Sequence, residues 1–166
     1  MSTLFFDPSR PIDIDEGAVR RFLAAFDEMR LLMRRLSRSA ARAPVDPTDE
    51  GFATFAREPR VRAEIQAVLE KHGFNTVETW ERTVQAVMSA TAFADPDSGL
   101  SDMANTVTKL RAEIDGDRTL SPEDRQRMHA ELEDEMRQLE RMRPPAGNVE
   151  AVRPFMARLK AIAGAD

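Results

Sequence analysis

Residues able to do chemistry are scarce in this 166-residue chain, and their types and spacing decide what chemistry is open to it. Cysteine and tyrosine are absent. That excludes disulfides, zinc-thiolate sites and thiol catalysis, and leaves either the cytosol or an oxidising compartment open. The two histidines, His72 and His129, lie far apart, and neither has a second histidine at the i+3 or i+4 spacing that places a zinc pair on one helical face. No glycine-rich phosphate loop occurs. Enzyme chemistry would have to use carboxylates or arginines alone. Glycoside hydrolysis, for example, needs two carboxylates ~5–10 Å apart across a cleft. No such pair stands out among the 29 acidic residues. The reading is therefore non-catalytic, with no catalytic, cofactor-binding or metal-binding residue assigned, and a small carboxylate enzyme is kept as an alternative.

One segment does carry a metal-like spacing. Residues 113–124, from Glu113 to Asp124, place oxygen side chains at positions 1, 3, 5, 9 and 12 of a twelve-residue loop and an apolar residue, Leu120, at position 8. A calcium loop needs that pattern because a hard cation takes six or more oxygens converging from one turn. Arg118 stands where the sharp turn calls for glycine, and Asp124 is too short for the usual bidentate reach of glutamate. The segment reads as a helix end, a short turn and a Ser121-Pro122-Glu123-Asp124 cap. A divalent-cation sensor is the second alternative.

A second pattern is cationic. Arg30, Arg34, Arg38 and Arg42 recur at intervals of four, with Arg35 beside them, and make a basic stripe on one helical face. Arg30, Arg34 and Arg38 are the candidate contacts for an anionic envelope component or an acidic protein. The plain reading is a solvated face, favoured near a helix C-terminus by the dipole and neutralised by Glu131, Glu133, Asp134 and Glu135. Met29 and Met33 early in the chain, and Met128, Met136 and Met142 late in it, could line an adaptable groove of thioethers. Their spacing equally suits a core, and core is the expectation.

The elements that position these residues are legible from punctuation. A formal charge of −5 and a pI near 5.2 argue against a nucleic-acid binder. No run approaches the ~18 apolar residues of a membrane span, and Leu4-Phe5-Phe6 is too short for a signal-peptide core. A chain of this length buries roughly 70% of its unfolded surface without a staple. Residues 1–12 read as an extended lead-in and 13–166 as one helical domain. Asp13 or Asp15 caps a first helix with a stripe at Val19, Phe22, Leu23, Phe26, Met29, Met33 and Leu36, ending near Arg42. Asp46-Pro47 opens a second, kinked or broken at Pro59 and stopped by Gly73. Asn75-Thr76-Val77-Glu78 is a capping box for a third, in which Trp80 is a core anchor.

Three more stripes follow, with the same helical period. Leu100, Met103, Val107, Leu110 and Ile114 alternate at spacings of three and four; Met128, Leu132, Met136, Leu139 and Met142 follow the Ser121 cap. Asn148 caps a last helix that Pro154 must kink or begin. His72 should close helix two through its last carbonyls, and His129 should edge an apolar face. No segment alternates with a strand's period of two. The expected fold is an all-α bundle of five to six amphipathic helices.

The order of Phe22-Leu23-Ala24-Ala25-Phe26-Asp27-Glu28-Met29, Lys71-His72-Gly73-Phe74 followed by Trp80, Leu120-Ser121-Pro122-Glu123, and Asn148 to Pro154 resembles small helical proteins of proteobacteria. Those proteins are usually made with an export leader and have no assigned activity. The resemblance implies a periplasmic address if a leader has been removed, and a cytoplasmic one otherwise. It brings no catalytic residue. The function expected is a non-catalytic helical binding or structural module of the bacterial envelope.

Overall fold

The structure, a computed structural model, describes residues 12–40, 45–48 and 51–164; the lead-in at 1–11 and Arg42 lie outside the described residues. The fold is all-α, and no strand occurs among the described residues. The α-helices are α1 (Glu16–Ser39), α2 (Phe52–Ala56), α3 (Pro59–Lys71), α4 (Val77–Ala94), α5 (Met103–Gly116), α6 (Pro122–Arg141), α7 (Ala146–Val152) and α8 (Met156–Ala163). Five to six were expected, and two prolines account for the difference. Pro59 starts α3 at its first position, so the second stripe is broken into α2 and α3. Pro154 sits in a 3-10 turn, Arg153–Phe155, that divides α7 from α8.

The chain's contacts fall into two compact units, the first ending at Met88 and the second beginning at Ser89, both within α4. In the first unit, α1 begins where Asp15 accepts the Ala18 N–H at 2.7 Å, and it buries the predicted stripe from Val19 to Leu36. α1 packs on α3, which turns Val61, Ile65 and Leu69 inward. Gly73, at φ +83°, ends α3 in a left-handed cap: its N–H donates to the Glu70 carbonyl and that of Phe74 to Leu69. Phe74 is thereby turned into the core, edge-on to Trp80 at 5.2 Å. Trp80 is fully buried. Phe22 stacks on it at 5.2 Å, Phe52 tilts against it at 6.5 Å, and its indole N–H donates to the Pro47 carbonyl at 3.1 Å.

Three predicted caps are corrected. Asp46 accepts from the backbone N–H and hydroxyl of Thr48, closing a turn, while the helix starts only at Phe52. The cap of α4 is Thr76, one residue later than expected: its hydroxyl accepts the Thr79 N–H at 3.1 Å. Asn148 lies inside α7, buried, because the chain already turns helical after Pro145. The Ser121 cap stands as predicted, accepting the Asp124 N–H at 3.1 Å with Pro122 in the first turn.

In the second unit, α5 and α6 form a hairpin joined by residues 117–121. Arg111 pairs with Glu133 and Asp115 with His129, so partner numbers fall as residue numbers rise and the helices run antiparallel. Val152 and Leu159 are fully buried on α7 and α8, and the Arg143 guanidinium lies 5.5 Å over the Phe93 ring.

Candidate functional site

The methionine expectation divides along the chain. Met29 and Met33 on α1 are fully buried, as a core reading requires. On α6 that reading fails: Met128 is 38% exposed and Met142 41%, Met136 and Leu139 are half-buried, and Leu132 alone is buried on a 20-residue helix. Facing it, α5 buries Met103 and Ile114 and leaves Leu110 38% exposed. The stripes have the period of a core, but a two-helix hairpin offers only the facing rows a partner.

Between the helices lies an open groove of about 390 Å³. Its floor is Leu110, Ile114, Leu120, Met128 and Leu132. Its rim is acidic: Glu113 and Asp117 come from α5 and the turn after it, Glu131 and Glu135 from α6. The two walls carry one pattern, an apolar residue at i and i+4 with an acid at i+3 and i+7, as in Leu110, Glu113, Ile114, Asp117 and in Met128, Glu131, Leu132, Glu135. At 100° per residue those four positions share a face, so each helix sets its acids beside its own apolar row.

No lysine or arginine lines this groove. Among the described residues, Glu113, Glu131 and Glu135 form no ion pair and no side-chain hydrogen bond, whereas Asp117 is committed to the turn. Its carboxylate accepts from the Thr119 hydroxyl at 2.6 Å and N–H at 2.8 Å. Those two hydrogen bonds, with the nearby Arg125 charge, hold its pKa below the ordinary value. A second groove of about 620 Å³ at the other end of the hairpin includes Met103, Val107 and Met136. Its charges are already used: Arg143 pairs with Glu140, Arg111 with Glu133, and Asp102 caps α5. Of these two grooves, the first combines exposed apolar atoms with uncompensated charge.

The other candidate residues are dispersed. Arg30, Arg34 and Arg38 are exposed on α1 beside Leu31, itself 67% exposed, and Arg38 donates to the Arg34 carbonyl at 3.3 Å. Beside the stripe, Arg35 pairs with Glu64 of α3, and on α6 Asp134 pairs with Arg137 of its own helix. Of the calcium-like spacing, Glu113 and Asp115 are held within α5, and Ser121 and Asp124 are engaged at the α6 cap. The helix runs four residues into the supposed loop, so the oxygens do not come from one turn. No group of three or more His, Asp and Glu side chains able to hold a metal occurs among the described residues.

His72 caps α3 as expected, through its backbone N–H, which donates to the Leu69 carbonyl at 3.1 Å, but its ring turns elsewhere. Its Nε2 meets Glu28 of α1 at 2.7 Å, and Lys71 reaches both oxygens of the same carboxylate at 2.9 and 3.0 Å. Hydrogen bonds from His72 and then Lys71 hold the Glu28 pKa below its ordinary 4.5. A depressed carboxylate stabilises the fold above its unfolded pKa and loses that contribution as pH falls through the folded value. Glu28→Gln should accordingly lower the melting temperature near neutral pH, with the gap to wild type closing as pH falls through the lowered folded value. A pH-independent gap in calorimetric scans would show that packing, not charge, is at stake. Burial, with Glu78 adding to it, raises the pKa of Glu81, which lies outside both grooves.

No described helix is long and apolar enough to cross a membrane. No protein-family model matches the chain, no curated protein is similar to it in sequence, and no solved structure is similar to it in fold.

Proposed function

We propose that the chain is a non-catalytic binding module whose working surface is the α5–α6 groove. The exposure of Leu110 and Met128 in a groove floor they share with the buried Ile114 and Leu132 is the observation that carries this reading. Fully burying a side chain of that size is worth about 1.5–3 kcal/mol, and with 38% of each side chain exposed the fold leaves over a third of that unused at both positions. Contiguous apolar surface rimmed by polar groups marks interaction sites. Pocket-sized openings can also hold small molecules, but those sites bury most of the ligand, and this groove is open along its length. The bacterial envelope is the address taken, supported by the resemblance of residues 22–29, 71–74 and 120–123 to exported helical proteins. The arginine stripe on α1 is assigned no role, since Arg35 already finds its counter-charge in Glu64.

A photo-reactive side chain at position 128, in the full chain and in its native cell, should yield a discrete adduct of higher mass. Adducts that are absent, or a smear without a defined species, would count against a binding role for this face.

A further inference from the structure

We infer that the occupant of the α5–α6 groove is a cationic amphipathic helix of a partner protein. The inference rests on the binding reading above and names the chemistry that would satisfy it. A groove between antiparallel helices presents ridges at i, i+3 and i+4, which accept the matching ridges of a third helix. Leu110 to Asp117 spans about 10 Å, two turns, so the occupant meets the floor with apolar residues at i, i+4 and i+7. An extended strand has no sheet edge here to pair with.

Charge then selects the sign. The lining holds four acids and no base, and Glu113, Glu131 and Glu135 have no ionic partner among the described residues. An occupant with carboxylates beside its apolar row would set like charges along both walls. One with lysine or arginine there would meet acid on each side. A neutral hydrophobic helix would cover the floor and leave the rim uncompensated. The acids lie beside the floor rather than in it, so the ion pairs stay at the water boundary, where they steer and orient more than they bind.

The test is a titration of the full chain against three labelled synthetic helices of ~18 residues, each with leucine at i, i+4, i+7 and i+11. Their flanking positions carry lysine, glutamine or glutamate, and fluorescence anisotropy reports binding. The lysine helix should bind at least about tenfold more tightly than the glutamate helix, an advantage that shrinks as salt rises past ~0.15 M. Glu113→Gln/Glu131→Gln/Glu135→Gln should weaken the lysine helix about tenfold and leave the glutamine helix within about twofold, because exposed pairs are each small and act together. Leu110→Ser/Met128→Ser should weaken all three. Circular dichroism checks that both variants remain folded.

Equal affinity for the three helices, lost in Leu110→Ser/Met128→Ser, would overturn the cationic partner and leave the binding reading standing. Binding that neither variant changes, or no binding at all, would overturn both. A concentration-dependent dimer in sedimentation, lost in Arg30→Gln/Arg34→Gln/Arg38→Gln, would assign the groove to a second copy and overturn the inference in favour of self-association.

Discussion

Trp80→Ala should lower stability by about 3–5 kcal/mol, the largest loss expected from any single substitution in the first unit. The ring is fully buried and is touched on three sides by Phe22, Phe52 and Phe74. Its removal opens a cavity between elements distant in sequence, which cannot collapse without moving α1, α2 or the α3 cap together. It also strips the Pro47 carbonyl of its donor, and an unpaired buried acceptor adds to the cost. Urea unfolding followed by far-UV circular dichroism measures the loss, since the variant has no tryptophan to report it. A loss below about 1 kcal/mol would mean that the aromatic cluster is not the keystone of this unit.

Leu159→Ala should cost about 2–5 kcal/mol and act on the other unit. Leu159 is the only fully buried side chain of the eight-residue helix α8. An isolated helix of that length does not hold in water, so α8 persists only because this residue is packed. Its ordering also places Lys160, whose ammonium sits 3.0 Å from both Asp95 and Asp97 around the 3-10 turn after α4. Those hydrogen bonds raise the Lys160 pKa, and at Asp95 the backbone N–H of Asp97 and then Lys160 lower it. Hydrogen exchange in Leu159→Ala should quicken across 156–163 and at 95–98 together. In Lys160→Gln it should quicken at 95–98 only, with a much smaller change in the melt. Fraying of 156–163 with no effect at 95–98 would show that α8 does not brace that turn.

The first unit was almost fully legible because each of its signals names its own partner. The α1 stripe is seven residues wide along one face, Trp80 needs both apolar cover and an acceptor, and Gly73 can adopt the left-handed φ that stops α3. At α4 the cap was legible to within a residue. Thr76 and Asn75 are both competent caps, and only the register of the α4 hydrogen bonds selects Thr76. Asp46-Pro47 failed as a helix start because the same aspartate chemistry that caps helices also closes turns.

The groove was not legible from the same evidence. Hydrophobic period reports that a face is apolar, and says nothing about whether another element covers it. Met128 and Met29 look alike in sequence, yet one is open and the other sealed by the packing of α1 on α3. A usable signal was present in the acids at i+3 and i+7 beside each apolar pair. A row meant for a dry core does not flank itself with carboxylates on both helices.

Position 130 supplies the sharpest contrast for the α5–α6 groove as the binding surface. Ala130 is exposed on α6 and, two residues after Met128, is turned about 200° from it, so one face is tested against the other on the same helix. With the photo-reactive residue at each position in the native cell, the expected result is a discrete adduct at 128 at least about tenfold above that at 130, and its loss when Leu110→Ser is added. Equal yields from the two positions, or an adduct at 128 indifferent to Leu110→Ser, would contradict it.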